Sequence, residues 1–265
     1  MTDVLVGWSG FVGQSLLRQR PFDRRFRSTD IAEARGLEAE LLVCAGAPAQ
    51  KWVADREPEA DRARLQGLAE HLDHVQARRV VLISTVDVFA DSRGADEDSD
   101  PDAQAPGAYG ANRRWLERWV LGRFPGALIV RLPGLVGPGL RKNAIFDLRN
   151  DNNLSAIDAR GVYQFYPMVN LWADLRTALE AELTVLHLTA EPVSVAEVAE
   201  AGFGRPFDNR VEGRTPPAYD LQSRHAALFG GAGAYQYSRR DSLLAIRAYA
   251  QSEPPAQPPN ATTGA

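Results

Sequence analysis

Cysteine, lysine and long apolar runs are all scarce in this sequence of 265 residues. The single cysteine, Cys44, lies in an apolar segment and cannot form an internal disulfide bond, which excludes a disulfide-stabilised scaffold and fits a reducing compartment. No stretch approaches the roughly 18 consecutive apolar residues of a membrane-spanning helix. The first residues, MTDVLVGWSG, lack the basic segment of a signal peptide. We therefore expect a cytoplasmic protein with no membrane partner.

Lysine is almost missing even from the cationic residues. Of the 30 lysines and arginines only Lys51 and Lys142 are lysines, and the formal net charge is −4. An acidic balance without a basic stripe argues against nucleic acid as a partner. His71 and His74 share one predicted helix but have no evident cysteine or acidic partner, so no metal site is expected. The 45% hydrophobic content is that of an ordinary globular protein.

Short apolar runs of the β type alternate with helical stretches over the first 135 residues. The predicted strands cover residues 4–7, 41–45, 80–85 and 127–132, and the predicted helices cover residues 11–20, 58–75 and 114–121. Strands that are apolar throughout are typical of a parallel sheet with helices on both faces. The sequence therefore predicts an α/β fold, a Rossmann-like doubly wound parallel sheet with a small C-terminal α+β substrate region.

The alternation weakens after Gly139, which suggests three parts. Residues 1–140 are predicted to form a dinucleotide-binding domain. Residues 141–250 are predicted to form a small substrate-binding region interleaved with the last strands of the sheet, with strands at 162–168 and 185–189 and helices at 194–201 and 241–250. Ser194 and Glu197 have the spacing of a capping box. Residues 251–265 are rich in proline and polar residues, so we expect a disordered tail.

Three glycines follow the first predicted strand and open the first predicted helix. Gly7, Gly10 and Gly13 have the spacing G-x-x-G-x-x-G. In dinucleotide-binding turns the first glycine permits the tight turn, the second lets the backbone approach a pyrophosphate, and the third allows close packing of helix and strand. The positive end of the helix dipole then faces the anion. The residues between these glycines that are predicted to contact the cofactor are Ser9, Phe11 and Val12.

The choice between NAD and NADP depends on the residues that follow the second strand. An acidic residue there binds the ribose 2′-hydroxyl of NAD, whereas an arginine accommodates the 2′-phosphate of NADP. The segment DRRFRSTDI contains Arg27, Asp30 and Ile31, and Asp30 lies 17 residues beyond Gly13. Both cofactors are compatible with this segment. The arginines give a slight preference for NADP.

The hydroxyl groups of Thr85 and Tyr109 are candidates for the catalytic groups. Ser84 and Thr85 end a predicted strand, and Tyr109 follows Thr85 by 24 residues, at the start of a predicted helix. A tyrosine and a strand-end hydroxyl can converge on one substrate oxygen, with the phenol as the acid or base and the hydroxyl holding that oxygen.

These motifs together resemble the extended short-chain dehydrogenase/reductase family, whose members are NAD(P)-dependent epimerases, dehydratases and reductases of nucleotide sugars. The matching segments, in chain order, are GWSGFVG, CAGAPA, ISTVDVFAD, YGANR and RLPGLVGPGL. The resemblance implies that Thr85 is the catalytic hydroxyl and Tyr109 the acid/base, and that a homodimer forms. It also implies cofactor contacts by Ser84, Tyr109, Cys44, Ala45, Gly46, Leu132, Pro133, Gly134 and Leu135.

The sequence departs from the family motif Y-x-x-x-K, because position 113 is arginine. The resemblance implies that this residue holds the nicotinamide ribose and lowers the pKa of the tyrosine. Arg113 keeps the positive charge, which favours phenolate, but its forked side chain is not equivalent to lysine. As an alternative, Lys51 supplies the ammonium group, since it lies on a predicted loop that should border the cofactor.

We therefore expect an NAD(P)-dependent oxidoreductase or epimerase that acts on a hydroxyl or carbonyl carbon, with a nucleotide sugar as the substrate class that the family suggests. Two alternatives stay open. The changed motif at Arg113 is also compatible with a non-catalytic NAD(P)-binding sensor or scaffold. Asp87 occupies the second position of the acid pair that follows the threonine in the family's sugar dehydratases, but Val86 occupies the first, so half of that pair is missing.

Overall fold

The computed structural model of the protein describes residues 2–255 and is built around a parallel sheet. The strands are β1 (Asp3–Val6), β2 (Arg24–Phe26), β3 (Glu38–Cys44), β4 (Gln76–Thr85), β5 (Leu128–Leu132), β6 (Gly134–Val136), β7 (Val162–Tyr163), β8 (Phe165–Pro167), β9 (Val185–His187) and β10 (Val193–Ser194). Six of them form the sheet in the order β2-β1-β3-β4-β5-β9, and all neighbours are parallel. The predicted parallel sheet is confirmed.

Helices cover both faces of the sheet. They are α1 (Phe11–Gln19), α2 (Lys51–Arg56), α3 (Pro58–Asp73), α4 (Ala108–Arg123), α5 (Ala144–Asn150), α6 (Leu171–Glu180), α7 (Val195–Phe203) and α8 (Arg239–Ser252). Successive side chains of a strand point to opposite faces. In β4, Val80 and Leu82 pack with α3 and α4, whereas Val81 and Ile83 pack with α1 and α6. This is the doubly wound Rossmann-like arrangement that the sequence predicts.

A third apolar cluster lies in the C-terminal region and joins α5, α7 and α8 to the small strands. Helix α7 begins where predicted, because Ser194 and Glu197 form the expected capping box, with the Glu197 N–H donating to the Ser194 Oγ at 3.2 Å. Helix α8 continues to Ser252, so the predicted tail begins inside a helix. The remainder of that predicted tail, residues 256–265, lies outside the described residues.

The predicted strand at residues 162–168 is wrong as a single element. It is divided at Gln164, whose buried amide donates to the carbonyls of Ala190 and Leu221 at 2.7 and 2.8 Å. Its oxygen accepts from the Leu221 N–H at 2.6 Å. Consequently β7 pairs with β10, whereas β8 pairs with β6 in a separate two-stranded sheet.

An irregular segment of the C-terminal region returns to the carboxyl edge of the main sheet. The Val162 N–H donates to the Pro217 carbonyl, and the Gly94 N–H donates to the Asp220 carbonyl, both at 2.8 Å. These backbone bonds hold Tyr219 above the end of β4. The region also contributes β9 to the main sheet, in register with β5.

No helix within residues 2–255 combines the length and apolarity needed to span a bilayer. Over the same residues, no group of three or more histidine, cysteine, aspartate or glutamate side chains is placed to hold a metal ion.

Candidate active site

The glycine turn between β1 and α1 leaves room only on its outer side. A Cβ on Gly7 would lie 2.3 Å from the Ala45 carbonyl oxygen, and a Cβ on Gly13 would lie 2.3 Å from the Gly7 oxygen. At Gly10 the only neighbour of such a Cβ is the Gly7 oxygen, at 3.5 Å. Gly7 also has a φ of +84°, which favours glycine. Crowding therefore requires glycine at positions 7 and 13, whereas the space beside Gly10 is open. We call this open space beside Gly10 the cradle.

The N-terminus of α1 faces this cradle. Gly10 is its N-cap and contributes no side-chain cap, and the first intrahelical bonds leave the N–H groups of Phe11 and Val12 without helical acceptors. Ser9 and Gly10 are exposed, whereas Phe11 and Val12 are half-buried. Free backbone donors with a positive helix end suit a phosphate group. The residues predicted to hold a pyrophosphate thus fit one.

Trp8, within the glycine turn, lies beside two arginines, Arg25 of β2 and Arg27 directly after that strand. The guanidinium carbons of Arg25 and Arg27 are 5.2 and 5.7 Å from the centroid of its ring. The Arg27 Nε donates to Thr29 Oγ1 at 3.0 Å, and the Arg27 N–H donates to Asp30 Oδ1 at 2.6 Å. The carboxylate of Asp30 is therefore engaged with its own turn, in which its Oδ2 also lies 3.8 Å from Arg27 Nε, and the Arg27 side chain is half exposed. Ile31, beside it, is buried.

Thr85 and Tyr109 come together because α4 packs directly on the turn after β4. Gly110 makes this packing possible, since a Cβ there would lie 1.8 Å from the Asp87 carbonyl oxygen. Thr85 Oγ1 accepts from the Asp87 N–H at 3.2 Å. Asp55, on α2, holds the first turn of α4 by accepting the Tyr109 N–H at 3.1 Å. The predicted hydroxyl pair thus lies at one end of the sheet.

Burial dominates the electrostatics of the Tyr109 phenol. Its side chain is 8% exposed, and this desolvation raises the pKa of Tyr109 above its ordinary value. The positive charge of Arg113 opposes the shift, the charge of Asp87 adds to it, and Thr85 and Lys51 oppose it. The phenol is therefore protonated near neutral pH and suited to donating a proton to a substrate oxygen.

Arg113, which is predicted to hold the nicotinamide ribose, has several partners within the protein. Its guanidinium is buried, and it donates to the carboxylate of Asp61 on α3 and to the Pro48 carbonyl. It also lies 4.1 Å from the centroid of the Tyr109 ring. One branch of the guanidinium reaches the Asp61 carboxylate and the other reaches the Pro48 carbonyl in the loop after β3, so the side chain is fixed between α3 and that loop. Arg113 is thus a positioning residue for Tyr109 and Pro48.

Lys51 is the predicted alternative source of an ammonium group, since position 113 is arginine. It begins helix α2 rather than lying in a loop as predicted. Its Nζ is 2.7 Å from Asp87 Oδ1 and 3.5 Å from the Tyr219 hydroxyl, which in turn is 3.2 Å from Asp87 Oδ1. Burial lowers the pKa of Lys51, but the charge and hydrogen bond of Asp87, together with Tyr219, outweigh it and raise that pKa.

A cleft of about 260 Å³ opens beside these three side chains. Its lining residues are Lys51, Asp87, Phe89, Ala90, Asp91, Ser92, Gly107, Gly110, Pro217, Ala218 and Tyr219. Tyr219 was missed from the sequence. It is 134 residues beyond Thr85 in an irregular segment without a motif, and its ring stacks on Tyr163 at 5.6 Å between centroids.

The hydroxyl of Ser84, one of the predicted cofactor contacts, has a partner within the protein. Its hydroxyl is buried and donates to Glu117 on α4 at 2.5 Å. Glu117 also accepts two bonds from Arg131 on β5, at 3.1 and 2.9 Å. The side chain of Ser84 therefore joins α4 to the sheet, because a carboxyl group inside the core requires hydrogen-bond partners.

The other predicted cofactor contacts divide by exposure. The Cys44 thiol is buried at the end of β3, and burial raises its pKa to about 11. Leu132 and Pro133 are buried as well, so contacts from these three would come from the backbone or from the edge of a side chain. Half-buried positions on the same sheet edge are Ala45, Gly46, Gly134 and Leu135.

No family model matches the sequence, and no curated protein is similar enough in sequence to match it. Solved structures do match the fold. A UDP-galactose 4-epimerase shares 18% identity over 95% of this chain and 98% of its own, with a TM-score of 0.69. A dTDP-4-dehydrorhamnose reductase from Bacillus anthracis, in complex with NADP, shares 18% over 94% and 98%, with a TM-score of 0.73.

A third match is an NAD-dependent NDP-hexosamine 5,6-dehydratase, TunA, which is involved in tunicamycin biosynthesis. It shares 16% identity over 96% of this chain and 99% of its own, with a TM-score of 0.70. Their names are those of an epimerase, a reductase and a dehydratase of nucleotide sugars, which are the enzyme types of the predicted resemblance. The predicted resemblance is therefore confirmed at the level of the fold, along nearly the whole length of each chain.

Proposed function

We propose that the protein is an NAD(P)-dependent oxidoreductase or epimerase that acts on a hydroxyl or carbonyl carbon of a nucleotide sugar. One observation carries the proposal: Tyr109 and Thr85 lie together at the carboxyl edge of a parallel sheet, whose glycine turn is open at Gly10. Ligands of such sheets bind outside the carboxyl ends of the strands. The epimerase and the reductase with the same fold act on nucleotide-linked sugars, as their names state.

The residues have separate roles in this proposal. A bound nicotinamide supplies hydride transfer to or from the substrate carbon. Tyr109 donates a proton to the substrate oxygen during reduction and accepts it during oxidation, and Thr85 hydrogen-bonds the same oxygen. The positive charge of Arg113, and to a smaller extent that of Lys51 on the cleft side, lower the pKa of Tyr109. Arg113 also fixes the phenol ring from behind.

The dehydratase alternative is the weaker one because Val86 replaces the first acid of the pair, as the sequence shows. Asp87 is held through Oδ1 by Lys51 and Tyr219. Retention of Tyr109 and Thr85 in one place argues against a non-catalytic sensor. The homodimer and the cytoplasmic location expected from the sequence stay predictions.

The proposal is tested by binding and turnover together. NADPH and NADH are titrated against the protein, and nicotinamide reduction is then followed with a panel of UDP- and dTDP-hexoses, with epimer products measured by NMR. The Gly10→Ala variant should bind the dinucleotide about tenfold more weakly, because its methyl group fills the cradle and displaces a charge-assisted hydrogen bond.

Gly67→Ala is the matched control, since a Cβ at Gly67 on α3 has no neighbour within 4 Å. It should leave binding unchanged. Equal affinities for wild type and the Gly10→Ala variant would show that the dinucleotide does not occupy this turn. Binding without turnover across the panel would favour the sensor.

NADP is the preferred cofactor in this proposal, on the strength of Arg27. Its half-exposed guanidinium lies beside Trp8, where a ribose 2′-phosphate is expected, and its Nε is 3.8 Å from Asp30 Oδ2. Arg27→Ala should therefore weaken NADPH binding by about 10- to 100-fold, the value of a hydrogen bond to a charged group, and leave NADH binding unchanged. Calorimetric titration with both dinucleotides measures this.

Arg24→Ala is the control for that experiment, because Arg24 lies over Phe26, with its guanidinium carbon 5.4 Å from the ring centroid, and away from Trp8. It should change neither affinity. If Arg27→Ala weakens both dinucleotides equally, or neither, the preference for NADP is refuted, and Asp30 becomes the candidate for a contact with the ribose of NAD.

A further inference from the structure

Three polar side chains meet at the cleft, and each comes from a different part of the chain. Lys51 begins α2, Asp87 lies in the turn after β4, and Tyr219 belongs to the irregular segment of the C-terminal region. The Lys51 ammonium group donates to Asp87 Oδ1 at 2.7 Å and to the Tyr219 hydroxyl at 3.5 Å, and that hydroxyl donates to the same Oδ1 at 3.2 Å. We call these three residues the polar triad.

The polar triad is fixed by contacts on two sides. The Tyr219 N–H donates to the Val162 carbonyl at 3.0 Å, and the Tyr219 ring stacks on Tyr163 with the ring planes 21° apart. On the other side, the Asp87 N–H donates to Thr85 Oγ1 at 3.2 Å. The carboxylate therefore belongs to a residue that is bonded directly to the hydroxyl predicted to hold the reacting oxygen.

The bonds within the polar triad leave one acceptor and one donor for a ligand. Asp87 Oδ2 has no hydrogen-bond partner within residues 2–255. An ammonium group has three N–H donors, and Lys51 uses two of them within the triad. The two side chains are 19% and 48% exposed, and both line the cleft. The cleft thus offers a charged acceptor beside a charged donor.

A hydroxyl group matches this pair, because it donates one hydrogen bond and accepts others. A carboxylate at the same place would be repelled by Asp87, and an amine cation would be repelled by Lys51. A carbon without an oxygen would cover both charged groups without bonding them, which costs more than the hydrogen bond itself contributes. For this reason, sites that bond a substrate hydroxyl strongly reject the analogue that lacks it.

We propose that the polar triad determines substrate specificity by binding a hydroxyl group of the sugar other than the one that reacts at Tyr109. The inference rests on the proposed function, which supplies a sugar with several hydroxyl groups. Asp87 Oδ2 accepts from this second hydroxyl and Lys51 donates to it. Tyr219 is a positioning residue, which holds Oδ1 and the ammonium group in place. The site then takes a sugar with a neutral hydroxyl at that position and excludes deoxy, amino and carboxylate forms.

Combining a change in the protein with a change in the ligand tests the polar triad. The affinities of UDP-glucose, UDP-galactose and their 2-, 3-, 4- and 6-deoxy analogues are measured by calorimetry for wild type and for Tyr219→Phe. NADPH is present, since the reduced cofactor cannot oxidise these sugars. We expect removal of the second hydroxyl to weaken binding to wild type by about 10- to 100-fold, the value of hydrogen bonds to charged groups.

Tyr219→Phe should weaken binding of the parent sugar by about 2- to 10-fold, the value of one neutral hydrogen bond. It should leave the affinity of the sensitive deoxy analogue unchanged, because Tyr219 acts only through the hydroxyl that this analogue lacks. Tyr163→Phe is the matched control. Its ring stacks on Tyr219 but is not part of the cleft lining, so every affinity should stay the same.

The outcomes separate a specificity role from a structural one. Equal losses for the parent sugars and all deoxy analogues in Tyr219→Phe would show that the hydroxyl only maintains the cleft, and the inference would be overturned. The same holds if wild type tolerates every deoxy analogue, or if it binds NADPH but no sugar nucleotide, in which case the dinucleotide part of the proposed function still stands. If wild type binds neither NADPH nor a sugar nucleotide, the proposed function itself fails, and the specificity role with it.

Discussion

Replacing Arg113 by methionine should lower the free energy of unfolding by about 3–5 kcal/mol, because it leaves a buried carboxylate without its cation. The side chains of Arg113 and Asp61 are only 3% and 2% exposed. Asp61 would keep one donor, the Asn112 amide at 2.9 Å, which cannot neutralise it. Urea denaturation followed by circular dichroism measures the loss.

The double variant separates the ion pair from the packing around it. Replacing Arg113 by methionine and Asp61 by leucine together should cost less than Arg113→Met alone, since an apolar pair of similar volume needs no compensation. Arg118→Met is the control for a surface pair: Arg118 is 59% exposed and bonds Asp102 at 2.5 Å, so its loss should cost about 0–1 kcal/mol. Equal losses in the Arg113→Met and Arg118→Met variants would contradict the buried pair.

Arg113→Lys should not recover the family arrangement. Lysine can bond either Asp61 or the Pro48 carbonyl, but it lacks the forked group that reaches both. The Asp61 carboxylate would also attract the ammonium group away from the cleft. We therefore interpret Asp61 and Arg113 as one structural unit, which leaves Lys51 as the cationic side chain that lines the cleft.

The sheet and the glycine turn could be predicted because their sequence signals are local. Short, continuous apolar runs such as residues 80–85 are typical of strands covered on both faces. The spacing of the glycines indicates where backbone segments approach each other closely. At Gly7 and Gly13 the structure shows those contacts at 2.3 Å. Thr85 and Tyr109 were recognised for the same reason, since each occupies the end of a predicted element.

The remainder of the site depends on pairings that no local pattern contains. Asp61 has the spacing of an ordinary surface acid on α3, and only the fold turns it toward Arg113. Nothing in the YGANR segment indicates that Gly110 is needed for packing, because the reason is the contact between α4 and the Asp87 carbonyl oxygen. Tyr219 reaches Asp87 through backbone bonds between residues far apart in the chain. Long-range contacts of single side chains were the part that could not be predicted.

Tyr109→Phe should reduce turnover by about 10²- to 10⁴-fold, the usual contribution of a positioned acid or base. NADPH affinity should be unchanged, because the substitution removes one hydroxyl and keeps the ring on which Arg113 lies. Tyr237→Phe is the control, since its hydroxyl donates to Asp174 at 2.8 Å, beside α6 and away from the cleft. Turnover that survives Tyr109→Phe would refute the assignment of the phenol.

The pH dependence of oxidation identifies the charges that act on Tyr109. Oxidation needs the phenolate, so its rate should rise with pH through the pKa of Tyr109. Lys51 lowers that pKa and Asp87 raises it. Lys51→Met should therefore move the rising limb to higher pH, Asp87→Asn should move it to lower pH, and Lys51→Arg should leave it nearly unchanged. Shifts in the same direction for Lys51→Met and Asp87→Asn would show that they act through the cleft's structure, since opposite charges must shift one phenol in opposite directions.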